Sequence, residues 1–316
     1  MSGPVGQADA APVEDHGTPT PPTVELFASR ASRVGDLDVR RALPRRGHRT
    51  VGAWCFADHM GPASVTEDRG VDIGPHPHIG LQTVTWLVAG EILHRDSLGS
   101  EQVVRAGQLN LMTAGAGVAH AEEATGRYRG ELHGIQLWVA QPEGTRHGPP
   151  AFEHHPELPV VELDGGTATV VVGDFAATAS PARRDTDHVG VDLALRPGRT
   201  TAQLRADQEH ALVVLDGAVE VEGVVVEPGH LAYLGTDRDE LVVEAREGTR
   251  AMLLGGVPFP DEILMWWNYV ARTADEIEAA NDAWNAGDDR FGVVRSPLAR
   301  IPGPTTPSWI GRLPRT

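Results

Sequence analysis

The chain of 316 residues contains a single cysteine, Cys55, so no disulfide can form within it. That excludes disulfide-stapled secreted scaffolds and favours a reducing compartment, with the cytoplasm as the expected location. Within Ala53-Trp54-Cys55-Phe56 the thiol reads as a small buried apolar group rather than a nucleophile. Long apolar runs are missing too, and none approaches the roughly 20 residues of a membrane-spanning helix. The first residues offer neither a basic start nor an apolar stretch, so no secretory signal is expected. Positive charge is scarce: Lys+Arg number 27 against 44 Asp+Glu, a net charge of −17. Such a surface repels phosphate backbones and anionic membranes, so neither direct nucleic-acid binding nor membrane attachment is expected.

What is present suits two domains with a core in each, since 41% of the residues are hydrophobic. Residues 1–22, with Thr18-Pro19-Thr20-Pro21-Pro22, read as a disordered tail. Short β-branched and aromatic runs then follow at close spacing, over 51–56, 81–88, 92–96, 102–105, 107–112 and 132–139. Glycine-rich turns separate them, a pattern that predicts an all-β jelly roll or barrel.

The candidate chemistry gathers at two strand ends. In Gly74-Pro75-His76-Pro77-His78-Ile79-Gly80 the histidines are two apart, so on a strand both lean to one face, about 6.6 Å apart along it. Pro75 and Pro77 have no N–H for a neighbouring strand, which predicts an edge or a mouth. His120 and Glu122 form a second pair just past Gly115 and Gly117. Three imidazoles and a carboxylate from two strands can enclose a divalent ion and leave coordination positions open. A His-x-His pair is also a common strand-end feature without a ligand, and spacing alone does not separate the two readings. His94 lies outside the paired spacing and reads as structural. His147, His154 and His155 fall in the polar connector 141–159 and read as solvated. Gln136 and Trp138 share a strand face, the first a candidate hydrogen-bonding group for a substrate and the second a core residue.

The wording of these segments resembles the pirin family of bicupins. The match runs through His76-Pro-His78-x-Gly80-x-x-Thr83-Val84, Met112-Thr113-Ala114-Gly115-x-Gly117-Val118-x-His120-x-Glu122 and His133-Gly134-Ile135-Gln136-Leu137-Trp138-Val139. It is long and ordered, covering roughly residues 25–290. The resemblance implies two tandem cupin (jelly-roll) β-barrels, with one metal ion held by His76, His78, His120 and Glu122. The ion implied is Fe(II), while Mn, Ni, Cu and Zn remain compatible with the donors. His59 falls in a segment that in pirins runs past the metal pocket, which makes it a candidate substrate contact or an ordinary loop histidine.

The second half repeats the first in outline. Val213-Val214-Leu215-Asp216-Gly217-Ala218-Val219 parallels Trp86-Leu87-Val88-Ala89-Gly90-Glu91-Ile92. Carried across, His76 and His78 fall on Gln203 and Arg205, and His120 and Glu122 on Val242 and Glu244. The second barrel is therefore expected to lack a metal site, with His210 and His230 structural. The expected domains are 23–145, binding the metal, and 146–295, without it. A capping box at Thr273-Ala-Asp-Glu276, with Ile277, Ala280 and Trp284 on one face and Gly287 behind, predicts a short C-terminal α-helix over 273–286. Residues 296–316 read as a flexible proline-rich tail.

As function, the resemblance implies a dioxygenase of the quercetin 2,3-dioxygenase kind, opening a flavonol-type aromatic substrate with O₂ and releasing CO, with Glu122 as the catalytic base. Two other classes stay open. One is an iron-dependent redox sensor that binds a transcription regulator or metabolic enzyme. The other is a cupin isomerase or decarboxylase that needs metal but not O₂.

Overall fold

Strand alternation is read out directly in burial: Glu91–Asp96 alternates half-buried and buried positions, as a strand with one face against a core must. The structure, a computed structural model, describes residues 24–66, 70–308 and 310. The expected tail 1–22 lies outside the described residues. Most of the strands form two sandwiches, each with a seven-stranded sheet facing a four-stranded one, two short two-stranded ribbons make up the rest, and every ladder is antiparallel. The sandwiches are the two cupin barrels. Among the described residues no helix is long and apolar enough to cross a membrane.

In the first barrel the large sheet runs from Ala151–His155 through Leu109–Thr113, Leu81–Ala89, Gly130–Ala140, Trp54–Val65 and Leu37–Leu43 to Arg30–Val34. The small sheet orders Ile73–His78, Val118–Glu123, Glu91–Asp96 and Glu101–Arg105. The two large sheets pack back to back through Trp54, Trp86, Ile135 and Leu137 on one side and Val213, Leu215, Met252 and Leu254 on the other. The Trp54 indole N–H crosses this seam to the carbonyls of Val189 (3.0 Å) and Gly255 (3.1 Å).

The interiors differ. The second barrel is filled by one continuous apolar cluster, with Val191, Leu193, Leu212, Val243 and Leu253 among its members. The first has two clusters, one around Cys55, Phe56 and Trp138 and one around Leu37, Val39 and Met60. A cavity lined by both polar and apolar side chains touches both. Cys55 is fully buried and burial pushes its thiol up to about 12, so it packs as an apolar group.

Two strands cross the domain boundary expected at 145/146. Glu25–Ala28 pairs with His230–Gly235 in the second barrel, and Ala151–His155 pairs with Leu109–Thr113 in the first. Each covers an edge whose free N–H and C=O groups would otherwise be open, an exchange that composition does not signal. His154 and His155 therefore sit half-buried in a strand rather than in a solvated loop, and His147 alone of the three is exposed.

The helix α1 spans Ala274–Ala286 and buries Ile277, Ala280 and Trp284 as expected. Thr273 caps it, its hydroxyl accepting from the Glu276 N–H, while the Glu276 carboxylate reaches back to the N–H of Arg272 (2.9 Å). Replacing Thr273 by alanine is expected to cost about 1 kcal/mol, read as a lower urea midpoint. The tail is not flexible over its described part. Ile301 N–H donates to Pro75 O (2.9 Å), the Trp284 indole donates to Ile301 O (2.8 Å), and Asn281 donates to Pro304 O (3.0 Å). Its prolines reduce the entropy lost in laying a strap along α1, and Arg300 stacks over Trp284 at 3.5 Å.

Candidate metal centre

The ladder between Ile73–His78 and Val118–Glu123 sets His120 directly opposite His76 and Val118 opposite His78. With period-two alternation, three rings then share one face. His76, His78 and His120 are 6%, 1% and 2% exposed, and their ring centroids lie 4.4–5.0 Å apart. One nitrogen from each falls within 4.8 Å of the others. Gly80 shapes the turn that follows: at φ +66 a Cβ would stand 2.2 Å from the carbonyl oxygen of Val270.

The proton positions follow from the partners. His76 Nδ1 faces Gly74 O (2.9 Å) and His78 Nδ1 faces Asn268 O (3.0 Å). A carbonyl can only accept, so in each neutral ring Nδ1 carries the hydrogen and Nε2 keeps its lone pair. Burial pulls His76 down to about 4 and, with the neighbouring imidazoles, holds His78 and His120 well below the ordinary histidine range. The rings are thus neutral near pH 7.

His120 stands between two acceptors. Its Nε2 is 3.0 Å from His78 Nε2, and its Nδ1 is 3.4 Å from Nδ1 of His94, whose own Nε2 faces the Asp96 carboxylate at 3.0 Å. A neutral His120 has one hydrogen for these two contacts. Without a cation, one pair of lone pairs must face each other; an ion at the Nε2 side removes the conflict. The donor set fits a divalent metal on that ground.

Glu122 reaches the same cavity but falls outside the three-ring group. A bulge on the partner strand shifts the register, so that Glu122 pairs with Ile73 rather than Gly74, while alternation keeps Glu122 on the His120 face. Burial pushes its carboxyl up to about 7. The cavity, about 390 Å³, extends from the rings between Phe56 and Trp138 on one side and Val39 and Met60 on the other. Phe56 and Trp138 stack at 4.1 Å, and Arg41, paired with Asp58 through two bonds (2.7 and 2.6 Å), lies 4.6 Å from the Phe56 ring centre.

Family profiles described as Pirin and as Pirin C-terminal cupin domain match residues 36–139 and 190–292. A Caulobacter vibrioides protein named pirin-like is 37% identical over 83% of this chain and 93% of its own length. The chain belongs to the pirin family. A Pseudomonas aeruginosa pirin relative, provisionally named a quercetin 2,3-dioxygenase, is 48% identical over 85% of this chain and 86% of its own. A crystal structure of a quercetin 2,3-dioxygenase from Acinetobacter baumannii superposes with a TM-score of 0.87 at 42% identity, covering 90% of this chain and 96% of that one.

Within this pirin cavity Gln136 lines the wall, and its side-chain oxygen is buried without a hydrogen-bond partner. His59 does not line it. Asp58 and Met60 turn inward on that strand, so His59 faces the opposite side, with Nε2 2.9 Å from His133 Nε2. Trp267, Asn268 and Ile301, all C-terminal to the strands of the second barrel, also line the cavity, as do Arg33 on Arg30–Val34 and Arg41 on Leu37–Leu43; sequence spacing marks none of them. Trp266 and Trp267 stand together ahead of α1 in the sequence, where apolar packing is the default reading. In the second barrel, strand pairing sets Thr201 opposite Val242, so Thr201 and Gln203, rather than Gln203 and Arg205, occupy the places of His76 and His78. Neither is a histidine. Among the described residues no second group of three metal-ligating side chains forms.

Proposed function

We propose that this pirin is a metal-dependent dioxygenase that opens a flavonol-type aromatic ring with O₂, the metal held by His76, His78 and His120 with Glu122 as fourth ligand or base. The observation that supports it most is the set of three neutral, buried imidazoles with no hydrogen to spare, placed at the foot of an aromatic-walled cavity. A divalent ion bound there, Fe(II) in our reading, supplies Lewis acidity and access to O₂ chemistry. The protein's own groups do the rest. Phe56 and Trp138 offer apolar aromatic surface to a substrate ring, and the unpaired Gln136 oxygen accepts from a substrate hydroxyl. A carboxyl held near 7, as Glu122 is, can take the proton of an acidic enol hydroxyl and return it later. Trp267, Asn268 and Ile301 add a C-terminal contribution to the lining of the same cavity. The single free cysteine supports a reducing, cytoplasmic setting.

The test is O₂ uptake and CO release by Fe(II)-loaded protein supplied with a flavonol, in air and under nitrogen. Turnover that needs O₂ is the expected result. Turnover that persists without O₂ would replace the dioxygenase by an isomerase or decarboxylase. No turnover, with a protein partner bound in one iron oxidation state only, would replace it by a redox sensor.

A further inference from the structure

Outside the three rings, one buried polar chain touches the centre without joining it. His94 and Asp96 are two apart on Glu91–Asp96, the strand that pairs with Val118–Glu123, and they are 4% and 2% exposed. Their bond, His94 Nε2 to Asp96 Oδ2, is 3.0 Å. The other Asp96 oxygen, Oδ1, accepts from the backbone N–H groups of Leu98 and Ser100, each at 2.9 Å. The His94 ring is stacked on Phe152 at 4.4 Å and 12°, on the strand that crosses over from the connector. Ring plane and turn are thus fixed independently of any ion.

Resting on the metal-centre reading above, we propose that His94 and Asp96 are a positioning pair that holds the hydrogen of His120 on Nδ1, keeping its Nε2 lone pair aimed at the ion. A carboxylate only accepts, so the hydrogen of neutral His94 sits on Nε2 and its Nδ1 is an acceptor. That acceptor, 3.4 Å from His120 Nδ1, draws the His120 hydrogen to the side away from the centre. His76 and His78 achieve the same with backbone carbonyls. His120 uses a side-chain relay, and the relay can be reversed by one atom.

Asp96→Asn reverses it. The amide oxygen can stay at the Leu98 and Ser100 N–H groups, which places NH₂ where Oδ2 faced His94. His94 must then accept at Nε2, present N–H from Nδ1, and force the His120 hydrogen onto Nε2, where it blocks ligation. An isosteric change that leaves the turn bonded should leave the fold in place. The probe is Zn(II), which is diamagnetic. In wild-type protein loaded with Zn(II), ¹⁵N NMR should show hydrogen on His120 Nδ1 and His94 Nε2. Zn(II) affinity should fall about 10- to 100-fold in Asp96→Asn. His94→Gln keeps a carbonyl acceptor toward His120 that needs no carboxylate, so adding Asp96→Asn to it should change affinity no further. An equal loss from Asp96→Asn in both backgrounds would show that Asp96 acts through the turn, and would overturn the proposal. So would a hydrogen on His94 Nδ1 in the loaded wild type. Wild-type protein that takes up no Zn(II) would instead sink the metal-centre reading itself.

Discussion

His78→Ala is expected to leave the purified protein with less than about a tenth of the wild-type metal content, because it removes a ligand outright, where disturbing an outer partner of a ligand costs about 10- to 100-fold in affinity. His78 is the ring with most to lose. It is 1% exposed, its Nε2 is 3.0 Å from His120 Nε2, and its Nδ1 is the link to Asn268. Alanine leaves two imidazoles and Glu122 to hold the ion, and it strips the Asn268 backbone carbonyl of its donor. The same substitution therefore loosens the hairpin of Leu264–Trp266 and Tyr269–Ala271 from the metal-bearing strand. Two measurements check it. Elemental analysis gives the metal-to-protein ratio, and hydrogen exchange at Val270, whose N–H donates to Ile79 O at 3.1 Å, reports the hairpin. An unchanged ratio would remove His78 from the ligand set.

The reach of the sequence is uneven for a physical reason. The period of two in a strand makes His76 and His78, or His120 and Glu122, visible as same-face pairs, because the relation is local. The ladder that sets His120 against His76 was not visible, and neither was the bulge that pairs Glu122 with Ile73, since register depends on a partner strand. Asn268 meets His78 across 190 residues, and no local pattern encodes that distance. The exchanged strands Glu25–Ala28 and Ala151–His155 are short and ordinary in composition, so a boundary drawn from turns and prolines misplaces both. The tail misled in the opposite direction. Its prolines resemble those of a linker, yet Trp284, Asn281 and Pro75 supply the partners that pin it down. The helix α1 was legible in full because a cap, an apolar face and a terminal glycine are all properties of neighbouring residues.

Glu122→Gln is expected to stabilise the metal-free protein in alkaline solution while weakening its hold on metal. The wild-type carboxyl is raised from 4.5 to about 7 by burial, so the folded state holds its proton more tightly than the unfolded chain does. The sign follows from linkage. Below about pH 4.5 both states are protonated and the folded state keeps the full benefit. As pH rises toward 7 the unfolded chain ionises first, and that benefit is lost. The loss is about 3 kcal/mol by about pH 8, from 1.36 kcal/mol per pKa unit. Glutamine cannot ionise and escapes it. The imidazoles, held below the ordinary histidine range, act the other way and lose stability as pH falls below about 6.5, but they do so equally in both proteins and cancel in the comparison. Chelator-treated wild type and variant should thus have similar urea midpoints in acid and diverge in favour of the variant toward pH 8. Adding metal should reverse the order, because a cation beside Glu122 stabilises the charge that burial penalises. Calorimetry of metal binding at about pH 6 gives an independent reading: uptake should release close to one proton in the wild type and none in Glu122→Gln, the imidazoles being already neutral. Equal proton release in the two proteins would mean that Glu122 does not feel the ion, and would leave three histidines alone to hold it.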